Sequence, residues 1–530
     1  MKEIRLDSTE TKIFNLLMQV VVDKAPDTVL RAAGGWVRDK LLGKDSQDID
    51  IAVDCMSGQA FATLVFQWMQ ENGIPIDHKL AVVKSNPDKS KHLETTILPI
   101  FGIPVDFVQL RKETYDADGQ QSRIPTIETD NVSAQDDALR RDFTVNSMFY
   151  NINEDKVEDL TGHGVEDLQK GILRTPLDPV VTFLQDPLRI LRAIRFAAKY
   201  GFELDDTLIQ AARNSRVQKT FLDKLAHERI WKEMVGVQET EGFKRGFLTG
   251  PDPARAARLM NVLGIRDLLF TLSDEEKKML GVKQDETAHW DADQNTPHHN
   301  LNIWEHTLEA MKHLANIAKD SKIDEGKENG EVEEAIRHLS ILLHDIGKCD
   351  LCSRQTKEDG TFSYLGHAES SAKIAEHILD KKFKAPKDIT QRVRNIIYNH
   401  MRLHVLEDHP SDSALRRVMK EMGDDWQNLV YHSIADAMGK LGAIEDPKYR
   451  ALIPRFIKLK TEQGGNNKPK RPIDGNVIMQ ELGLKPGPQI KQITDVLDEA
   501  LLENPTMTPA EAIAFIKTVP LKEITISPKR

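Results

Sequence analysis

The chain has 530 residues, with 72 Lys and Arg against 83 Asp and Glu, so its formal net charge is −11. This length predicts several folded units rather than one hydrophobic core, and the acidic balance excludes a polycation that coats nucleic acid indiscriminately. Three cysteines are too few for a disulfide framework, and the N-terminal stretch has neither a signal-peptide core nor the ~18 apolar residues of a membrane span. We therefore expect a cytosolic (cytoplasmic) protein with no membrane partner.

Helix and strand patterns alternate through the first 150 residues. Ser8 and Thr9 are candidate N-caps of a first helix. The pattern then predicts, in chain order, a strand over 29–33, a short helix over 36–42, and strands over 49–53 and 105–110. From about Asp186 onward helical periodicity dominates, interrupted by an acidic loop over 320–334 and a linker over 461–472. The sequence thus predicts a mixed sheet with helices, followed by a long helical remainder.

A double glycine followed by two aspartates is the most informative stretch of the first part. Gly34 and Gly35 let backbone N–H groups approach a bulky anion, and Arg38 follows one turn into the next helix. Asp48 and Asp50 are two residues apart on a strand, so their side chains lie on one face. Carboxylates this close need a cation between them, and oxygen ligands favour Mg²⁺. The stretch predicts a nucleoside triphosphate bound through Mg²⁺, and the lack of a GxxxxGK[ST] sequence excludes a P-loop.

Both elements match motifs of a known family, GGxVRD and DxD, and the family's later motifs follow in order. They are RRDFTVN at 140–146, DLTG at 159–162, DPLRILRAIRF at 186–196 and ERI at 228–230. Together they resemble the class II tRNA nucleotidyltransferases and the related bacterial poly(A) polymerases. One position departs from the pattern, because Gln185 stands where the family usually has glutamate.

The resemblance implies which residues form the site. Asp48 and Asp50 would bind the catalytic Mg²⁺, and Asp106 is a weaker third candidate. Nucleotide contacts would come from Gly35, Arg38, Arg141, Asp142, Asp186, Arg189, Arg192 and Arg195. Within that set, Arg141 and Asp142 would organise the triphosphate and sugar, and Arg192 and Arg195 would contact phosphate or support the site.

Asp186 and Arg189 have the chemistry of base recognition. A carboxylate accepts from the amino group of cytosine or adenine, and a guanidinium donates to the ring acceptor beside it. Such a pair accepts C and A and rejects U and G, whose oxygens would face the carboxylate. Helical spacing of three places Asp186 and Arg189 on one face and Arg195 nearly opposite to Asp186.

A second module is marked by histidine, since 12 of the 17 histidines lie between His298 and His432. The string HDIGK at 344–348 resembles the HD phosphohydrolase domain, and the resemblance implies four metal ligands: His306, His344, Asp345 and Asp436. His367 and His400 match positions that extend the site in some members. Imidazole with carboxylate suits a borderline divalent metal such as Ni²⁺, Mn²⁺, Zn²⁺ or Fe²⁺. We expect four other histidines to be ordinary surface or helix residues: His298, His299, His338 and His404.

The fold class expected from these features is α+β, with a nucleotidyltransferase head built on a mixed sheet and all-α parts behind it. The expected domains are the head at 1–160, a helical neck and body at 161–285, the HD domain at 286–445, and a linker with a helical tail at 446–530. The expected function is addition of CCA to the 3′ end of tRNA from CTP and ATP, with the HD domain as a metal-dependent phosphohydrolase for RNA 3′ ends. Three alternatives remain: a poly(A) polymerase, an enzyme adding only CC or only A, and an HD phosphohydrolase with an RNA-binding head.

The net charge does not exclude a tRNA partner, because the charges are unevenly distributed. Residues 186–199 contain four basic residues against one acidic, and residues 440–471 contain nine against three. The acidic run at 320–334 has seven acidic residues against two basic and lies outside every motif. Basic stripes of this kind bind RNA phosphates with an affinity that falls as salt rises.

Overall fold

The computed structural model describes the chain apart from residues 1–3, 46–47, 77–80, 84–94, 115–125, 240–241, 297–300, 321–329, 407–408, 441–446, 466–468 and 521–530. The chain divides into two compact units, Met1–Thr271 and Leu272–Arg530. The finer division into four domains stays a prediction.

A seven-stranded mixed sheet forms the centre of the first unit. The strands of this unit are β1 Leu30–Ala33, β2 Ile49–Val53, β3 Ala81–Val83, β4 Thr95–Ile100, β5 Ile103–Gln109, β6 Lys112–Thr114, β7 Thr126–Glu128, β8 Phe149–Asn151, β9 Lys156–Glu158, β10 Ile172–Leu173, β11 Glu203–Leu204, β12 Gly236–Glu239 and β13 Gly242–Arg245. The order in the large sheet is β3-β4-β5-β2-β1-β8-β9. Its β2 and β5 are parallel, and their register places Asp50 opposite Asp106.

Helices flank this sheet and then continue alone. They are α1 Ser8–Lys24, α2 Gly35–Leu41, α3 Gly58–Glu71, α4 Ala134–Leu139, α5 Gly164–Lys170, α6 Pro179–Gln185, α7 Leu188–Tyr200, α8 Asp206–Ala212, α9 Ser215–Lys224, α10 His227–Met234, α11 Pro253–Val262 and α12 Arg266–Phe270. Apolar residues at helical spacing bury one face of α1, from Ile13 to Val20. In β2, Ile49 and Ile51 are buried while Asp50 lies on the other face, so the strand joins the core to the site.

A buried carboxylate joins α1 to α2. Glu10 is 3% exposed; its Oε1 accepts from Trp36 Nε1 at 3.0 Å and lies 2.7 Å from Lys40 Nζ. Its Oε2 accepts from the backbone N–H of Asp7, which is the N-cap of α1. One side chain thus satisfies a helix end, an indole and a buried ammonium.

Replacing Glu10 by Ala should lower the free energy of unfolding by about 2–4 kcal/mol, because it leaves a buried lysine without its counter-charge. Chemical denaturation of the purified protein measures the change. The matched control is Glu71→Ala, which removes an exposed ion pair with Lys24 and should change stability by less than about 1 kcal/mol. Equal effects of the two substitutions would contradict the structural role of Glu10.

In the described part of the second unit, the named elements are helices apart from one short hairpin. Its strands are β14 Arg354–Thr356 and β15 Phe362–Tyr364. Its helices are α13 Asp274–Leu280, α14 Ile303–Asp320, α15 Gly330–Leu343, α16 His367–His377, α17 Lys387–Asn399, α18 Asp412–Met422, α19 Trp426–Met438, α20 Pro447–Glu462, α21 Gly475–Leu482, α22 Pro488–Glu503 and α23 Pro509–Ile516. Helices α14 and α15 pack against α19, and α16 packs against α17.

The α+β fold class is confirmed, and the predicted early strands and α2 lie within two residues of their expected bounds. Three details differ. The N-cap of α1 is Asp7, whose carboxylate accepts from the N–H of Thr9 and Glu10, so Ser8 is already helical. The run 320–334 is not all loop, because α14 ends at Asp320 and α15 begins at Gly330. Short strand pairs also occur beyond Asp186, at β12–β13 and β14–β15.

Candidate active site and metal centre

Three carboxylates meet at the β2–β5 pair. Oxygen atoms of Asp48, Asp50 and Asp106 all lie within 4.8 Å of one another. Asp48 is exposed, and the other two are half-buried. The parallel register explains why Asp106, the weaker candidate from sequence, joins the predicted pair. Three oxygen donors on a partly open face are a donor set that fits Mg²⁺.

Burial and like charge act together on Asp50, the middle carboxylate of this group. Burial, then the negative charges of Asp48 and Asp106, raises the pKa of Asp50 to about 7, and Arg141 opposes the shift. Such a raised carboxyl pKa is typical of like charges gathered without a cation between them. The group therefore has the electrostatics of a metal site as well as its geometry.

The double-glycine turn lies beside an arginine. Gly34 has φ +66°, and a Cβ built on it would come within 2.9 Å of Arg141 Nη1. Arg141 binds Asp137 through two nitrogens at 3.0 and 2.8 Å, and its guanidinium lies 4.9 Å from the ring centre of Phe149. Burial alone would raise the pKa of Asp137, but Arg141 and Arg140 lower it to about 2. The turn and the arginine thus occupy fixed positions relative to each other.

Gly34→Ala should reduce nucleotide addition by about 10–100-fold, because the new Cβ forces the Arg141 guanidinium away from its present position. The matched control is Gly43→Ala, since Gly43 also has a left-handed φ, +72°, but open space around its Cβ position. Both variants carry backbone strain of about 1–3 kcal/mol. Steady-state rates measure the loss of activity from the displaced arginine, and melting temperatures measure the loss of stability from backbone strain. Equal activity of both variants would contradict the prediction.

Arg38 faces the protein interior. It donates to Asn146 Oδ1, to both oxygens of Asp39 at 2.9 Å and to Tyr200 Oη at 2.7 Å, and it is 5% exposed. Its guanidinium lies 4.5 Å from the ring centre of Tyr200 at the end of α7. The structure therefore shows Arg38 joining the double-glycine helix to α7, and its contact with nucleotide stays a prediction. Gly35, whose own contact with nucleotide is likewise untested, is the first residue of that helix.

Asp142 is likewise bound within the protein. Arg192 donates to its Oδ2 from Nε at 2.8 Å, and Asn146 donates to its Oδ1 at 3.0 Å. Burial alone would raise the pKa of Asp142, but Arg192 and these hydrogen bonds lower it to about 2. The ionised carboxylate of Asp142 holds Arg192 in position. The role of Asp142 at the sugar stays a prediction.

The predicted base-reading pair lies at the start of α7. Asp186 precedes this helix in extended conformation, and its Oδ1 accepts from the N–H of Leu188 at 3.1 Å. Its carboxylate also binds Arg229, with Nη2 to Oδ2 at 3.0 Å. Arg189 is buried and donates to the carbonyl of Arg140 at 2.6 Å.

The expectation that Arg195 points away from Asp186 is wrong. Helical rotation does not apply to Asp186, because the helix begins after it. Arg195 Nε donates to Glu233 at 2.6 Å, and Glu233 is four residues after Arg229 on α10. Both ends of the Asp–Arg motif therefore contact the same helix. The ERI motif was the only sequence signal for Arg229, and Glu233 had none.

In the second unit, buried histidines and aspartates form two adjoining groups. His306, His344 and Asp345 offer atoms within 4.8 Å of one another, and so do Asp345, His367 and His400. The fourth predicted ligand, Asp436, lies beside the first group, with Oδ1 2.9 Å from His306 Nε2 and 3.5 Å from His344 Nε2. Asp345 is common to both groups.

The charge of this centre also suits a cation. Burial alone would lower the pKa of His344, but Asp345 and Asp436 raise it to about 10. The chain compensates part of the charge itself, since Lys348 Nζ lies 2.7 Å from Asp345 Oδ2. Imidazole and carboxylate donors around a shared aspartate fit two borderline divalent ions.

His404 is not an ordinary surface residue. Its Nε2 lies 3.0 Å from Asp436 Oδ2, and its Nδ1 lies 2.7 Å from Tyr449 Oη on α20. The clustering of histidines was the signal, but helical spacing alone could not place His404 beside Asp436. His338 is buried on α15, as a helix residue, and His298 and His299 lie outside the described residues.

Among the described residues, no helix is both long and apolar enough to cross a bilayer.

Two family models match parts of this chain. Residues 30–174 match the Poly A polymerase head domain, and residues 303–440 match the HD domain. The chain is 30% identical over 544 residues to the mitochondrial CCA tRNA nucleotidyltransferase of Saccharomyces cerevisiae, a match covering 98% of this chain and 94% of that protein. It is 29% identical to the CC-adding tRNA nucleotidyltransferase of Thermus thermophilus, covering 72% of this chain and 76% of that one.

A solved structure of a CCA-adding enzyme with CTP shares the fold at a TM-score of 0.60 and 18% identity, covering 97% of this chain and 96% of that chain. The yeast match spans nearly the whole of both proteins. The chain therefore belongs to the class II tRNA nucleotidyltransferases, the family of the CCA-adding enzymes.

Proposed function

We propose that this enzyme adds C, C and A in turn to the 3′ end of tRNA, using CTP and ATP. The observation that carries the proposal is the group of Asp48, Asp50 and Asp106, in the same unit as the double-glycine turn and the Asp186–Arg189 pair. The near full-length likeness to a CCA tRNA nucleotidyltransferase supports the substrate and the product.

In the proposed reaction, the 3′-hydroxyl of the RNA attacks the α-phosphate of the bound nucleotide, and pyrophosphate leaves. Asp48, Asp50 and Asp106 would hold Mg²⁺ at this point. Bound Mg²⁺ would lower the pKa of the hydroxyl and stabilise the departing charge, as in two-metal sites. Arg141, whose charge already acts on Asp50, would face the triphosphate. No side chain is needed as a nucleophile.

Base choice would come from the protein. Asp186 would accept from the amino group of cytosine or adenine, and Arg189 would donate to the adjacent ring acceptor. Both residues already have oriented side chains, through Leu188 N–H and the carbonyl of Arg140.

Incubation with tRNA that lacks its 3′ CCA, with CTP and ATP singly and together, tests the proposal. We expect CTP alone to add two residues and both nucleotides together to add CCA. Long A tails would identify a poly(A) polymerase, and addition of only CC or only A would identify a specialist such as the Thermus relative's name describes. No extension of any substrate would overturn the proposal.

We propose the cytosol as the compartment, on the scarcity of cysteine in the sequence. The Saccharomyces relative is named as mitochondrial, so fractionation of the source cells would decide between the two.

A second activity is favoured by the histidine centre. We propose that the HD domain hydrolyses phosphoester groups at RNA 3′ ends with a borderline divalent metal. Two buried ligand groups that share Asp345 support this activity, because paired ions hold a phosphate and activate water together. Oligonucleotides ending in a 3′-phosphate or a 2′,3′-cyclic phosphate, incubated with Mn²⁺ or Ni²⁺, test it; unchanged substrates with a metal-loaded protein would overturn it.

A further inference from the structure

The carboxylate of Asp186 is oriented by two neighbours. Arg229 approaches it with two nitrogens, Nη2 at 3.0 Å from Oδ2 and Nη1 at 3.4 Å from Oδ1. The backbone N–H of Leu188 donates to Oδ1 at 3.1 Å. The side chains of Asp186 and Arg229 are 28% and 31% exposed, so the pair is reachable by a ligand.

The position of Arg229 is itself fixed by α10. Glu233, four residues later on the same helix, lies on the same side of it and accepts from Arg195 at 2.6 Å. Glu233 also lies 3.8 Å from Arg192, which binds Asp142. Helix α10 therefore contacts Asp186, just before α7, through Arg229, and α7 itself through Glu233.

The acceptor capacity of Asp186 is nearly used. A carboxylate oxygen accepts about two hydrogen bonds. Oδ1 receives the N–H of Leu188 and one nitrogen of Arg229, while Oδ2 receives the other nitrogen of Arg229. One acceptor position, on Oδ2, is left for a ligand.

We propose that Arg229 is a positioning and specificity-determining residue: it fixes the carboxylate of Asp186 so that Oδ2 presents a single acceptor direction to the base. The inference rests on the proposed function, in which Asp186 reads the incoming base. An amino group of cytosine or adenine donates into that direction. The exocyclic oxygen of uracil or guanine is rejected there, because a fixed carboxylate cannot rotate away from it.

Loss of Arg229 should affect binding more than chemistry. Arg229 binds Asp186, which would read the base and is not one of the carboxylates that would hold Mg²⁺. A carboxylate free to rotate would bind the correct base less tightly and exclude the wrong base less strictly. A merely structural role would instead lower the amount of folded enzyme without moving base choice or KM.

The experiment compares single-nucleotide addition to tRNA lacking CCA by wild type, Arg229→Ala and Arg229→Lys, with CTP, ATP, UTP and GTP. For Arg229→Ala we expect KM for CTP and ATP to rise about tenfold with kcat within about twofold, and UMP or GMP incorporation to rise relative to CMP and AMP. Arg229→Lys keeps the charge without the two-nitrogen geometry, so it should restore affinity in part and base choice less.

The matched control is Lys232→Ala, which removes one positive charge from an exposed position on the same helix and should behave as wild type. If Arg229→Ala does not fold, judged by circular dichroism and melting, Arg229→Lys and Arg229→Gln give the answer. Unchanged KM and base choice in the folded variants would overturn the inference.

The same experiment distinguishes a failure of the role of Arg229 from a failure of the proposed function. Asp186→Ala is measured in the same series and should lose base choice. If the wild type adds no C or A, or if Asp186→Ala keeps full selectivity, the proposed reading of the base is wrong. If Asp186→Ala loses selectivity while the Arg229 variants keep it, only the role of Arg229 is wrong.

Discussion

Asp50→Asn should abolish nucleotide addition and, at the same time, stabilise the metal-free protein at pH 8. Loss of a carboxylate that would hold Mg²⁺ should reduce the rate by at least about 10³-fold, since the metal supplies several kcal/mol of charge stabilisation. The gain in stability has a different origin, because the substitution removes a charge that burial, and then the charges of Asp48 and Asp106, disfavour.

The pH dependence of this gain in stability follows from the direction in which the pKa of Asp50 is shifted. The pKa of Asp50 is raised from 3.8 to about 7 by burial and by Asp48 and Asp106. A raised carboxyl pKa means that the folded state disfavours the charged form, so this penalty is absent below about pH 4 and complete above about pH 7. The advantage of Asn should therefore appear between these values and then level off.

Melting curves in EDTA from pH 4.5 to 8.5 measure the difference in stability between Asp50→Asn and the wild type. After allowance for solvent screening, we expect the variant to be more stable by about 1–2 kcal/mol at pH 8. This corresponds to about 2–6 °C in Tm for a unit of this size. Added Mg²⁺ should reduce the difference, because it binds and stabilises only the wild type. Asp27→Asn, at an exposed turn of the same unit, is the control for a change of charge. A variant no more stable than wild type at pH 8 would contradict the interpretation of the carboxylate group.

Asp345→Asn should remove most of the transition metal from the second unit, and His400→Ala should remove about half. Asp345 belongs to both ligand groups, whereas His400 belongs to one. The wild type should bind about two ions per chain in this unit. Asparagine is chosen over alanine because its carbonyl still accepts from Lys348, which is buried and would otherwise keep Gln294 as its acceptor but lose Asp345.

Elemental analysis after loading with Mn²⁺ and gel filtration measures the ratio of metal to protein. His409→Ala is the matched control, since His409 is an exposed histidine of the same unit and should not change the ratio. Phosphoester hydrolysis of RNA ends should disappear with the metal in Asp345→Asn, while CCA addition continues. Equal metal contents in Asp345→Asn and His400→Ala would argue against a shared ligand.

Much of the fold and site followed from the sequence because their signals are local. Strand β2 was predicted to the residue, since Ile49, Ile51 and Val53 are buried apolar residues bounded by polar ones. The DxD pair needs only the two-residue repeat of a strand to bring both carboxylates together. The HDIGK string is local in the same sense, because His344 and Asp345 are adjacent. The ligands His306 and Asp436 were implied by the family resemblance alone.

The remainder depends on contacts between distant segments. Arg38 was expected at the nucleotide, which stays a prediction, but its hydrogen bonds to Asn146 and Tyr200, more than 100 residues away, had no sequence signal. The partner of Asp186 is 43 positions later on α10, and no spacing rule predicts such a pair. The N-cap of α1 was misplaced by one residue because Asp7, Ser8 and Thr9 are all good capping residues, and only the structure shows which side chain bonds to the helix.

The parallel pairing of β2 and β5 has a consequence for how this enzyme can change. Asp50 and Asp106 stand 56 positions apart along the chain, yet the ladder between the two strands places them opposite each other. The intervening chain returns through α3, and the turn after that helix contains Gly73, which is exposed and has open space around it. Insertions at Gly73 can accumulate over evolution, or be introduced by design as a tag or a reporter domain, without altering the distance between the two carboxylates. The connection between these strands can therefore vary in length among descendants of one enzyme while its chemistry stays constant.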